Sequence, residues 1–188
     1  MSSGLSTIDP GRARLAEILA KKALVRGSFQ GGQAEAVQKN HAMAESTGSV
    51  SLSTAPAAKA VAVITNFVPT AKGSGKLHVE VTAAIGNAGA AAHKVAVGVA
   101  IVAHGAPAPT TWDYPSGGVG VGSNGVTAPA GGAATTAIVV DYGSPGFPPA
   151  LAPGAAVDIY AMATTDDATP ANESVSQHGV QITAQEQG

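Results

Sequence analysis

The chain has no cysteine. That excludes disulfide scaffolds, thiolate catalysis and Cys-based zinc sites. Charge is scarce: Asp, Glu, Lys and Arg make up 12% of the 188 residues, about half the globular average of roughly 25%. With 10 basic against 12 acidic residues the net charge is −2, which argues against nucleic-acid binding through a basic surface. Aromatic residues are 4%, so a core has to be built from Val, Ala and Ile. Long apolar runs are also missing. The longest, Val95–Ala103, is interrupted by Gly98 and is about half of a membrane-spanning helix. The opening residues Met1–Thr7 carry no positive charge and no apolar stretch follows them. The expectation is a protein without a secretory signal, made and kept, or assembled, in a cytoplasm.

What is abundant is hydrophobic residues at 45%, with 24 glycines and 12 prolines. The hydrophobic fraction excludes a charge-driven disordered chain. The length suits one domain plus an appendage. Residues 1–45 hold six basic and four acidic residues, and residues 46–188 hold four basic and eight acidic ones. The hydrophobic period changes at the same place.

Asp9-Pro10 reads as a helix start, with Asp capping and Pro in the first turn. Leu15, Ile18, Leu19 and Val25 then share one face, with Arg12, Arg14, Lys21 and Lys22 around them. Gly27 ends the pattern. The helix would run about 17 residues, roughly 25 Å. Gln33–Glu45 would form a second, weaker helix with Ala34, Val37, His41 and Ala44 as its stripe. Together, 1–45 are expected to be a helical arm.

From Gly48 onward the period is two. Leu77, Val79, Val81, Ala83 and Ile85 alternate with polar or small residues, as do Val95, Val97, Val99 and Ile101. Val61, Val63 and Phe67 would share a face, as would Ile138, Val140 and Tyr142, and Val157, Ile159 and Ala161. Val180 and Ile182 are in phase and Val175 is not, which places a bulge near Gly179. Weaker strands are expected near Val50–Leu52 and Val119–Val121. Gly73-Ser74-Gly75, Gly86-Asn87, Asn124-Gly125 and Gly131-Gly132 read as turns. About eight strands with no helical pattern between them give a mainly β fold. The expectation for 46–188 is an antiparallel β-sandwich, jelly-roll or Ig-like, with the helical arm ahead of it. Small residues on the second face of one strand (Ala96, Gly98, Ala100) would let another layer approach closely.

Motifs for chemistry fail their context tests. Gly120-Val121-Gly122-Ser123-Asn124-Gly125 has the G-x-G-x-x-G letters, with Asp141 downstream, but Val126-Thr127-Ala128-Pro129 cannot be the helix that holds a pyrophosphate. None of the five histidines stands i, i+4 from another on a helix or forms H-x-H on a strand. His93 and His104 bracket one strand, roughly 30 Å or more apart at about 3.3 Å per residue, so they cannot share a metal. A set drawn from separate strands, such as His78 with Asp113, stays open. Ser144, His104 and Asp141 lack the nucleophile-elbow context of a hydrolase. Asp166-Asp167 reads as a turn, not a calcium loop. Asn172-Glu173-Ser174 fits a glycosylation sequon. No catalytic residue, cofactor or metal site is assigned, and the chain reads as a non-enzyme.

Contact surfaces are the remaining signal. Trp112-Asp113-Tyr114-Pro115 concentrates aromatics in a Pro-rich loop, and Pro145-Gly146-Phe147-Pro148-Pro149 is a second such loop. Trp112, Tyr114 and Phe147 are candidate outer contacts for a sugar ring or a protein. Leu15, Ile18, Leu19 and Val25 are candidate interface residues. Each contributes roughly 1.5–3 kcal/mol on full burial, and an isolated helix of this length is marginal. Docking on another chain, through an acidic surface that suits the arm's positive charge, is the expectation.

The absence of Cys, the Ala/Gly/Val/Thr-rich sandwich and the arm at Asp9–Gly27 together resemble virion accessory proteins of tailed bacteriophages. That group includes capsid decoration (cement) proteins and head- or tail-attached sandwich proteins. The resemblance implies a structural protein of the virion that folds in the host cytoplasm. It implies partners among other virion proteins, such as a major capsid or a connector or tail protein, and a homo-oligomer. It implies no nucleic acid and no membrane. The alternative is a carbohydrate- or receptor-binding sandwich of adhesin or fibre type, in which a glycan is the partner of Trp112 and Tyr114.

Overall fold

The computed structural model describes residues 40–110, 120–122, 125–146 and 149–187. All belong to one compact unit, Lys39–Gly188. Leu15, Ile18, Leu19, Val25, Trp112, Tyr114 and Phe147 lie outside the described residues, as does the helix expected over Asp9–Gly27.

The chain is mainly β. The described strands are β1 (His41–Glu45), β2 (Val50–Ser51), β3 (Lys59–Phe67), β4 (Leu77–Asn87), β5 (His93–Ala103), β6 (Gly120–Gly122), β7 (Val126–Ala128), β8 (Ala133–Tyr142), β9 (Val157–Thr165) and β10 (Glu173–Glu186). Among the described residues the helical content is one 3₁₀ turn, Pro170–Asn172. Two antiparallel sheets pack face to face. One has the order β1-β10-β4-β8, with β2 also on β10. The other has the order β3-β9-β5-β6, with β7 also on β5.

The pairing is nested. Leave out the short β2 and β7, and the first strand pairs the last (β1–β10), the second the second-last (β3–β9), then β4–β8 and β5–β6. The chain is thus one long antiparallel hairpin, rolled so that β10 meets β4 and β9 meets β5. Rolling sends successive strands to alternate sheets, except at the tip of the hairpin where β5 and β6 pair within one sheet, and turns one face of each sheet inward.

The inward faces follow the two-residue alternation. In β4, Leu77, Val79, Val81, Ala83 and Ile85 are buried while Glu80, Thr82 and Ala84 are exposed. Val95, Val97 and Val99 of β5 and Ile159, Ala161 and Ala163 of β9 meet them across the interior. Close packing of small branched side chains replaces the aromatic bulk the sequence lacks. Leucine, valine and isoleucine buried to this degree contribute roughly 1.5–3 kcal/mol each. The second face of β5 is covered as well: Ala100 packs with Ala58 and Met162 in a smaller cluster outside the main core. The small residues there admit the strand-free segment before β3, whose Ser53 and Ala57 carbonyls accept from the Thr164 hydroxyl.

Three expectations need correction. His41–Glu45, read as the end of a weak helix, is strand β1, paired in register with Gln181–Gln185. The strand-forming body therefore starts before residue 46. His41, Met43 and Glu45 are exposed and Ala42 and Ala44 half-buried, a period of two. In β3 the buried set is Val61, Ala62, Ile64 and Phe67, with Val63 only partly buried. Irregularities between Ala60 and Ala62 and between Ile64 and Phe67 shift the phase. Gly86-Asn87 is not a turn but the paired end of β4.

The bulge in β10 is where the phase change placed it. Register is lost between Val175 and Val180, and His178 has φ 59. Ser46 fills the irregularity. Its hydroxyl donates to the Ser176 carbonyl at 2.9 Å and accepts from the Val180 N–H at 3.2 Å.

Candidate functional site

Histidine–acid pairs are the concentrated polar chemistry of the described residues, and they are spread over the sandwich. His78 on β4 and Asp141 on β8 are direct cross-strand neighbours, with Nδ1 2.6 Å from Oδ1. His178 on the bulge stands 2.8 Å from Glu45 on β1. His104, just past β5, is 2.8 Å from Asp158 on β9. Burial disfavours the charge on Asp158. The N–H donors of Asn66 and Gly105 and the His104 ring outweigh that and hold its pKa below the ordinary carboxylate value. Asp158 thus ties the end of β3 to the turn after β5.

These pairings separate the residue sets that the sequence suggests. Asp141 pairs with His78 and His104 with Asp158, so the trio with Ser144 is not assembled. Asp113, the other paper partner of His78, lies outside the described residues. Gly120 and Gly122 of the G-x-G-x-x-G run lie on strand β6 and Gly125 directly precedes strand β7, so among the described residues no helix follows the glycines to face a phosphate. His93 and His104 sit at opposite ends of β5 and face different acids.

One cluster was not foreseen. His93 opens β5, Asp167 lies in the connection from β9 to β10, and Glu173 opens β10. One ligating atom from each falls within 4.8 Å of the others. His93 Nε2 is 3.6 Å from Asp167 Oδ2, and His93 Nδ1 is 3.3 Å from Asp166 Oδ1. Glu173 has no exposed surface, and neither of its carboxyl oxygens meets a protein donor.

The loop is built to hold this geometry. Asp167 Oδ1 accepts the Thr169 N–H at 2.7 Å and Oδ2 accepts the Asn172 amide at 3.2 Å. The Asp167 carbonyl accepts the Thr54 hydroxyl at 2.6 Å. Asp166 caps the Lys94 N–H at 2.8 Å. The Asn172 of the sequon is therefore a half-buried partner of Asp167. Asp166-Asp167 lie in a bent connection between β9 and β10, and Asp167 is turned into the buried end of the sandwich.

Electrostatically the two acids are pushed apart. The Thr169 N–H is the largest influence on Asp167 and holds its pKa down against burial. Burial first, and the neighbouring Asp167 charge second, push Glu173 up. A carboxyl pair arranged this way favours a positive particle between its oxygens, either a proton or a cation. No local spacing could have announced it: His93 is far from Asp167 and Glu173 in sequence, and only the rolled hairpin joins them.

Elsewhere, two shallow grooves flank β1 and β3, one lined by Asn40, Asn66 and Thr70 among others, the second by Glu45, Val63 and Tyr160. Neither gathers a convergent set of acids or imidazoles. No helix among the described residues is long and apolar enough to cross a membrane. No protein-family model matches the sequence, and no curated protein matches it.

Proposed function

We propose that this chain is a non-enzymatic structural protein of a virus particle, a capsid decoration (cement) protein or another head- or tail-attached protein of a tailed bacteriophage, and that it binds and stabilises neighbouring subunits. The observation that carries the reading is the nested pairing of β1–β10, β3–β9, β4–β8 and β5–β6. A long hairpin rolled into two facing sheets, as in this nested pairing, is the jelly-roll pattern, which recurs in viral capsid and lectin domains. This is an argument from fold, and fold alone does not assign function.

The surface adds to it. No strand of the sheet β1-β10-β4-β8, β2 included, carries a Lys or Arg. Its outer face presents Glu45, Glu80 and Asp141. Across it runs the row Met43–Thr183–Glu80–Val139, with Met43 57% and Val139 45% exposed. A broad face of this kind, neutral to acidic with exposed apolar residues at both margins, suits a neighbouring subunit whose contacting segment is apolar and basic. The sequence around Leu15, Ile18, Leu19 and Val25 has that character. Burial of such faces at subunit junctions stabilises a shell by mass action.

Mass spectrometry of particles purified from the phage lysate tests the reading. The chain should be present at a regular copy number per particle; its absence from the particles overturns the reading. The alternative, a carbohydrate- or receptor-binding jelly-roll, is supported by the aromatic run at Trp112 and Tyr114. A glycan array distinguishes the two.

A further inference from the structure

We infer that His93, Asp167 and Glu173 form a binding site for one divalent transition-type cation, with Zn²⁺ the best fit, which fastens the two sheets together at one end of the sandwich. The inference stands apart from the virion reading and would hold for a jelly-roll of any function.

Three independent features support it. The first is the donor set. One imidazole nitrogen and two carboxylates is a borderline set that suits Zn²⁺ or Mn²⁺, whereas Ca²⁺ and Mg²⁺ favour oxygen-only shells. The second is geometry. Zinc bonds of about 2.0–2.1 Å in a tetrahedron put neighbouring donors roughly 3.4 Å apart. His93 Nε2 and Asp167 Oδ2 are already 3.6 Å apart, and one ligating atom from each of His93, Asp167 and Glu173 falls within 4.8 Å of the others. Small rotations of the side chains close the remaining gap.

The third feature is the surroundings. Glu173 is fully buried, aimed into the cluster, and without a hydrogen-bond donor for either oxygen. A buried carboxylate in that condition is costly unless something positive completes it. Asp166 Oδ1 stands 3.3 Å from His93 Nδ1, while Nε2 is the ring nitrogen that approaches Asp167, so a carboxylate backs the ring on its other nitrogen. A metal-bound histidine backed by a carboxylate is the usual outer shell of such sites. Asp167 is likewise held by Thr169 and Asn172.

Topology gives the site its consequence. His93 belongs to the sheet β3-β9-β5-β6 and Glu173 to the sheet β1-β10-β4-β8. Asp167 lies on the strand-to-strand connection that crosses between them. A cation held by all three joins both sheets and that crossover. His93 retains partial exposure, 24% of its side chain, which gives the ion a way in.

The test uses the full chain, stripped with a chelator and dialysed. Zn²⁺, Mn²⁺, Ca²⁺ and Mg²⁺ are added singly while thermal melting and titration calorimetry are read. Zn²⁺ at about 100 times its Kd should raise Tm by about 5–10 °C, with one site per chain. Mn²⁺ should give a smaller rise, and Ca²⁺ and Mg²⁺ little. Glu173→Gln, a near-isosteric neutral change, should leave the stripped protein folded and abolish the Zn²⁺-dependent rise. His93→Gln should abolish it too. A Zn²⁺ rise of equal size in both variants assigns the binding to other histidines and overturns the site. No rise with any cation in the wild-type chain overturns it as well. A rise with Ca²⁺ that exceeds that with Zn²⁺ overturns the ion assignment.

Discussion

Glu173 and Asp167 place their carboxyl groups together in the buried end of the sandwich, one without any protein donor and the other held by Thr169 and Asn172. The asymmetry gives the first prediction. Glu173→Gln removes the group whose charge the fold opposes, while Asp167→Asn exchanges one of the two acceptor oxygens that order the 166–172 connection for a donor. In cation-free buffer at neutral pH, Glu173→Gln should melt about 2–4 °C above the wild type. Asp167→Asn should melt below it. Paired thermal melts of the two variants decide this.

Asp158 behaves in the opposite sense from Glu173. Its folded-state pKa is held below the ordinary Asp value of about 3.9, chiefly against burial, by Asn66, His104 and Gly105. The stability it supplies is fully present above that pH and is lost as pH falls through the lower folded-state value. Asp158→Asn should therefore cost about 1.5–3 kcal/mol near neutral pH, as for hydrogen bonds to a charged group. The gap between variant and wild type should narrow steadily below about pH 4. Urea melts from pH 3 to 7 measure it; a gap independent of pH contradicts the assignment.

Ser46 completes the β10 bulge, where it is 1% exposed and bonded to both Ser176 and Val180. Ser46→Ala strands the Val180 N–H and should cost about 1–3 kcal/mol. Amide exchange of Val180 should accelerate in the variant while that of the β4 core does not.

Gly75 sits at φ +69, and a Cβ there would lie 1.9 Å from the Leu151 carbonyl oxygen. Gly75→Ala must move backbone that is itself tied by the Leu151 N–H to the Gly75 carbonyl at 2.8 Å. It should lose at least about 1–3 kcal/mol of stability. Gly48→Ala, with open space around it, should change stability by no more than about 0.5 kcal/mol. Chemical denaturation of the pair gives the contrast.

The sequence revealed most of the fold where one face is buried and the strand regular. Leu77 to Ile85 alternate without a break, and all five inward residues are buried. The bulge was legible because Val175 and Val180 fall out of phase. β3 was misread because its two irregularities are set by pairing with β9, which no local pattern reports. β1 was misread because five residues carry too little periodicity to separate a helix from a strand, and its partner lies at the other end of the chain. The cation cluster was illegible for the same reason: its members are ordinary residues locally, and only the rolled topology makes them neighbours.

On the proposed function, the Lys- and Arg-free outer face of the sheet β1-β10-β4-β8 receives a neighbouring subunit. Light scattering of the full chain over a range of concentrations, beside a Met43→Lys/Val139→Lys variant, tests it most directly. Both positions are exposed, so the variant should keep its melting temperature. The wild type should form a discrete oligomer and the variant should dissociate at concentrations at least about tenfold higher, a change of roughly 1.4 kcal/mol or more. A wild type that stays monomeric throughout, or a variant that assembles as the wild type does, contradicts the claim.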